Sequence, residues 1–234
     1  MVRFDANCKS RLRRKVGVAA VQVPIYPHLM HNAERNNRLK ELPFGPEYLS
    51  LHDVPVSMPV VDADWWARAL SIDDFIAQAS SNVEFWKSTR RLAAISDAAR
   101  LRAAAIDVPR RLLVILEDWC GDAVNTVPVI QRLAESNTML ALRVLRRDEN
   151  LPLMDAHLSG TSRAIPVAMV LDTEGRHFGW WGSRPSPLQR WRLLEGNAME
   201  QNERYKIART WYARDRGRTT VDEILMLLER SVIS

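Results

Sequence analysis

The segment Trp119-Cys120-Gly121-Asp122-Ala123 holds the side chain best equipped for chemistry, the thiol of Cys120. It follows a wholly apolar run, Leu112 to Leu116, and opens a stretch in which Val124, Val127, Ile130, Leu133 and Ala134 recur at helical spacing. A thiol at such a junction meets unpaired backbone N–H groups and the positive end of a helix dipole, and both stabilise a thiolate. Cysteines so placed have pKa values lowered from about 8.5 to roughly 3.5–7.5, and the thiolate is the nucleophile of disulfide exchange. Asp122 pulls in two directions: its carboxylate could cap the helix, while its charge would raise the thiol pKa. Trp119 offers an aromatic contact surface beside the sulfur. A buried, silent helix-start cysteine is the competing reading at this stage.

The elements that must position this thiol can be read along the chain. A helical pattern opens at Ser71, with Asp74 completing a capping box, and runs through Ile72, Phe75, Ile76, Ala79, Val83 and Trp86. A second helix is expected from about Leu92 to Ile106, stopped by Pro109. Leu112 to Leu116 has the character of a strand buried on both faces. After the helix from Cys120 to about Glu135, Met139 to Leu145 reads as another strand, and Pro152 to His157 as a short helix. Val167 to Leu171 and His177 to Trp181 form a hairpin around Asp172-Thr173-Glu174-Gly175. Helices close the chain, the last opening at Thr220 with Glu223 as its capping partner. Trp180, Trp181, Trp191 and Trp211 are read as core and helix packing. This order defines an α/β sandwich with a mixed central sheet and additional N-terminal and C-terminal helices.

Three of these features together resemble the thioredoxin family over residues 110–183. WCGDAVNTVPVIQRLAE is similar to the family's Trp-Cys-Gly-Pro-Cys loop and the helix after it, with Pro128 at the position the family uses to kink that helix. Arg163-Ala164-Ile165-Pro166-Val167 resembles the segment carrying the family's cis-proline, and Asp172 to Gly182 its glycine-ended hairpin. The resemblance implies a thioredoxin-like fold with Cys120 as catalytic residue. It also implies a substrate surface formed by Trp119, Gly121, Asp122, Ile165 and Pro166, with Pro166 in cis holding a substrate backbone.

Departures from the pattern narrow the chemistry. Ala123 replaces the resolving cysteine, and Val114 stands where thioredoxins place a buried acid that manages the resolving thiol's proton. A dithiol cycle within the loop is therefore excluded. What the resemblance leaves is a monothiol route on protein disulfides or small-thiol adducts, in thiol–disulfide exchange or redox homeostasis, without a resident cofactor and with glutathione or another small thiol as co-substrate. Glu117 argues against a peroxiredoxin, which needs threonine there, and the loop does not match the Cys-Gly-Phe-Ser of monothiol glutaredoxins. The alternative is a redox-inactive binding module holding an extended peptide in the groove by Pro166.

Charge and cysteine usage set the remaining expectations. Residues 1–40 hold nine Lys or Arg against two acids, a balance of +7, which leaves −2 for the rest of a chain whose net charge is +5. Residues 1–60 are basic, Pro-punctuated and without sustained periodicity, so they read as an irregular extension to a domain at 61–234. That domain comprises a helical lead-in at 71–107, a core at 110–183 and closing helices at 184–234. A flexible tail is the first reading of the arm, a targeting peptide the second, although no small-x-small cleavage site follows it. One basic cluster does not argue for a nucleic-acid partner. No stretch approaches the roughly 18 apolar residues of a membrane helix. Cys8 and Cys120 make no disulfide framework and suit a reducing, cytoplasmic compartment. The five histidines form no zinc-like spacing, so no metal is expected.

Overall fold

The computed structural model describes residues 51–53, 55, 58 and 60–233; the basic arm and Cys8 lie outside the described residues. Leu51–His52 forms β1, and a helical lead-in follows: α1 (Ala63–Arg68), α2 (Ile72–Ala77), α3 (Val83–Leu92) and α4 (Asp97–Ala104). The core then runs β2 (Arg110–Leu116), α5 (Gly121–Ala134), β3 (Leu140–Arg146), α6 (Leu151–Asp155), β4 (Val167–Leu171) and β5 (His177–Gly182). The chain closes with α7 (Ser186–Leu194), a 3-10 turn at Gly196–Ala198, α8 (Gln201–Asp215) and α9 (Arg218–Ile233).

The strands form one mixed sheet in the order β1-β5-β4-β2-β3. Only β2 and β3 are parallel, joined by α5, as a parallel pair requires a crossover. Leu112 to Leu116 and all of β4 are buried, which is why neither strand alternates apolar with polar residues. Helices α9 and α4 pack on α5, and α9 also lies against β4 and β5, where Val221, Ile224, Leu225, Leu227 and Leu228 enter the core. Trp180 and Trp181 are core residues, and Trp211 joins a smaller cluster with Leu188, Trp191 and Tyr212. No helix among the described residues is long and apolar enough to cross a membrane.

Both margins of the sheet are occupied. β1 pairs antiparallel with β5, Leu51 opposite Trp181. On the outer side of β3, Leu70 and Val144 exchange backbone hydrogen bonds of 2.9 Å in both directions. The strand at Leu51–His52 corrects the reading of residues 1–60 as wholly irregular. Two residues are too few to show a period, yet Leu51 is buried and the His52 ring stacks on Trp180 at 3.7 Å. His157 and His177 complete this cluster, with centroids 5.1 Å apart.

Three helix boundaries also differ from expectation. The pattern from Ser71 to Trp86 is two helices: Ser71 caps α2 through the Asp74 N–H, but the chain breaks at Ser80-Ser81-Asn82, where Asn82 takes a left-handed conformation at φ 53°. The break is held by tertiary contacts with Asp118. Helix α4 starts at Asp97 behind an Ser96 cap, not at Leu92, which ends α3. Helix α9 opens at Arg218, and Asp215 accepts from the Thr219 N–H and hydroxyl. Thr220 and Glu223 therefore form no capping box. The Glu223 carboxylate turns inward and accepts from Trp181 Nε1 at 2.6 Å and from the Ser186 N–H at 2.9 Å.

Candidate functional site

The loop between β2 and α5 is fixed from both sides before the thiol is reached. Glu117 accepts from the Asp148 N–H at 3.0 Å just beyond β3, while its own carbonyl accepts from the Cys120 N–H at 3.2 Å. Asp118 accepts from the Ser80 and Ser81 N–H groups at 2.6 and 3.0 Å, and its carbonyl accepts from Trp86 Nε1 at 2.9 Å. Burial alone would raise the Asp118 carboxyl, but these donors outweigh it and hold the group below the usual carboxylate range. The break between α2 and α3 therefore supplies the donors that hold this loop.

Cys120 occupies the N-cap position of α5 and has no side-chain capping bond. Its Sγ donates to the carbonyl oxygen of Ile165 at 3.4 Å, and the Ile165–Pro166 bond is cis. The structure thus brings together Cys120, Ile165 and Pro166 across 45 residues of chain. Gly182, the hairpin's last residue, makes room for this approach: a Cβ there would stand 2.6 Å from the Pro166 carbonyl oxygen. Trp119 projects outward, 49% exposed, with the Arg147 guanidinium 5.0 Å from its ring centroid, a cation–π contact at the rim. Gly121 is exposed at the first turn of α5. Ala123 and Val114 are fully buried.

Asp122 sits otherwise than a helix cap or a surface contact would. Its Oδ2 is 2.7 Å from Arg184 Nη2, and its Oδ1 accepts from the Tyr212 hydroxyl at 2.9 Å. Arg184 follows β5, and Tyr212 lies beside Trp211 in the last turn of α8. Sequence reasoning missed both as site residues, because their partner is 62 or 90 positions away. Burial would lower the Arg184 guanidinium, but the Asp122 charge overrides it and raises it; burial, then Asp122, push the Tyr212 phenol well up.

The thiol responds to this setting. Burial first, and the Asp122 charge second, push Cys120 up to about 11, although the Ala123 and Asp122 N–H groups and Arg184 pull the other way. The lowered thiol expected of a helix-start cysteine is therefore not what the resting site presents: Cys120, 7% exposed, rests protonated. Among the described residues no group of three or more His, Cys, Asp or Glu is placed to hold a metal ion.

A fold with this sheet order, a cysteine at the start of the crossover helix and a cis-proline against it is a thioredoxin-like fold. A family model described as Thioredoxin matches residues 69–204, more than half of the chain, and the chain belongs to that thioredoxin-like family. Among solved structures it is similar to a protein of unknown function from Pseudomonas aeruginosa, with 18% identity and a TM-score of 0.59 over 72% of this chain and 97% of that one. It is also similar to an HIV epitope-scaffold, with 16% identity and a TM-score of 0.57 over 71% of this chain and 96% of that one. No curated protein sequence matches the chain.

Proposed function

We propose that the chain is a monothiol thioredoxin-like protein in which Cys120 carries out thiol–disulfide exchange. The observation that carries the reading is the contact of Cys120 Sγ with the Ile165 carbonyl beside cis-Pro166, at the first turn of α5. An extended substrate lying along Ile165 and Pro166 would present its sulfur to Cys120, with Trp119, Gly121 and Arg147 around it. The Cys120 thiolate attacks one sulfur of a protein–glutathione disulfide, forming a Cys120–glutathione disulfide and releasing the protein thiolate. Glutathione or another small thiol then attacks that adduct, leaves as the oxidised disulfide, and returns Cys120 as thiolate. Asp122 serves as a charge beside the sulfur and not as a substrate contact. The unpaired thiol suits the reducing cytoplasm.

A second reading is favoured by one observation: a thiol raised to about 11 is a poor nucleophile at neutral pH. On that reading the groove by Trp119 and Pro166 binds an extended peptide and Cys120 takes no part. The experiment that separates them is exchange with a glutathionylated peptide by wild type and Cys120→Ser, with and without glutathione. Turnover that requires both Cys120 and added thiol supports exchange. Equal behaviour of the two proteins, with peptide binding retained, would leave only the binding module.

A further inference from the structure

Asp122, Arg184 and Tyr212 are joined beside the first turn of α5, yet neither the resemblance nor the exchange reaction assigns Arg184 or Tyr212 a task. Three separate parts of the chain converge there: the first turn of α5, the segment after β5, and the last turn of α8. Asp122 keeps 15% of its side chain exposed and Arg184 25%, so the ion pair is largely out of water and weakly screened. The charged or titratable groups that act on Cys120 are Asp122 from α5, Arg184 from the segment after β5, and Tyr212 from α8.

We propose that Arg184 and Tyr212 are positioning residues for the Cys120 thiol: they clamp the Asp122 carboxylate and offset its charge, so that a thiolate forming at Cys120 faces a compensated pair. The proposal rests on the exchange reading for its purpose but not for its physics. A bare Asp122 next to a sulfur turning negative would set two like charges together in a buried site, which is costly. The Arg184 guanidinium is always charged and meets the carboxylate from the side remote in sequence, so its effect is independent of pH over the range in which a thiol titrates. Tyr212 donates to the second carboxylate oxygen, so each oxygen of Asp122 has a partner that holds the group in place. The smaller apolar cluster of Leu188, Trp191, Trp211 and Tyr212 then has a role beyond packing, since it seats the tyrosine that holds this carboxylate.

The test is the rate of Cys120 alkylation by iodoacetamide, a neutral reagent, between pH 7 and 10 in a Cys8→Ser background. Arg184→Gln should react at least about tenfold more slowly than the parent at each pH, because the Asp122 charge is no longer offset. Arg184→Lys, which keeps the charge without the planar fork, should fall between, and it carries the comparison if Arg184→Gln does not fold. Asp122→Asn should react faster than the parent. Asp122→Asn combined with Arg184→Gln should recover the rate lost in Arg184→Gln alone, a rescue that mere loss of packing would not give. Tyr212→Phe should slow the reaction by about two- to threefold. A folded Arg184 variant with the parent's pH profile, or a double variant as slow as Arg184→Gln, overturns the proposal. If the profiles shift as expected but no protein exchanges with a glutathionylated peptide, the charge pair stands and the exchange function falls.

Discussion

The sulfur of Cys120 and the carbonyl oxygen of Ile165 lie 3.4 Å apart, so the thiol's proton already has an acceptor before any substrate arrives. Together with burial and the Asp122 charge, this keeps the resting site in the thiol form. Exchange should therefore be strongly alkaline: with a thiol at about 11, the rate between pH 7 and 10 should climb about tenfold per unit. Stopped-flow rates with a chromogenic disulfide check this. A plateau below pH 9 would show that the sulfur becomes a thiolate far more readily than its surroundings imply.

Ala123 is fully buried one turn into the site, and its replacement by cysteine tests the monothiol reading from the other side. Ala123→Cys should turn over a disulfide without added small thiol, which the wild type should not do. Turnover should remain well below that of a dithiol enzyme, because Val114 supplies no proton acceptor and the Asp122 charge opposes a thiolate. Single-turnover assays with and without glutathione measure both. Turnover by the wild type alone would require Cys8 as a resolving thiol.

Asp118 joins the active-site loop to the break between α2 and α3, and its carboxylate is largely enclosed by donors. Asp118→Ala should lower stability by about 2–3 kcal/mol, since the Ser80 and Ser81 N–H groups lose a charged acceptor. Urea unfolding gives the loss. Exchange by the surviving folded protein should also slow, because the loop that aims Cys120 is released.

Two buried groups titrate in opposite senses and should nearly cancel. Burial, and then the neighbouring His157, push His177 down from 6.5 to about 4. Between those values the folded protein binds fewer protons than the unfolded chain, so this contribution is present above pH 6.5 and is lost as the pH falls towards 4. Burial pushes Glu223 up from 4.5 to about 7, so the folded protein binds more protons in that window, and stability is lost as the pH rises through it. Glu223→Gln removes the second slope. Relative to wild type, its unfolding free energy should rise by about 2–3 kcal/mol from pH 4.5 to 6.5. A difference constant with pH would show that Glu223 does not titrate there.

What the sequence made legible was local. Leu112 to Leu116 is apolar without alternation, Ser71 stands three residues before Asp74, and Asp172 to Gly175 is a turn by composition, so strand, cap and hairpin could be placed where the structure has them. Cys120 and Pro166 were legible through the resemblance, and their approach is confirmed by geometry. The misses share one cause. Asp118, Arg184, Tyr212 and Glu223 act through partners 32 to 90 residues away, and no periodicity encodes such a pairing. The spacing of Glu223 from Thr220 fits a capping role as well as it fits burial against Trp181.

The occupied margins of the sheet bear on how the protein behaves at high concentration. An open edge strand is a template on which another chain can extend the sheet, the commonest start of β-aggregation. Here the two residues of β1 close the β5 side, and Leu70 uses up the outward N–H and C=O of Val144 at the middle of β3. Arg143 and Arg146 further interrupt β3 with charge. Among the described residues, a second copy therefore meets β1 at one margin and the Leu70 bridge at the other, so sheet extension is hindered at both ends by three residues that take no part in the chemistry.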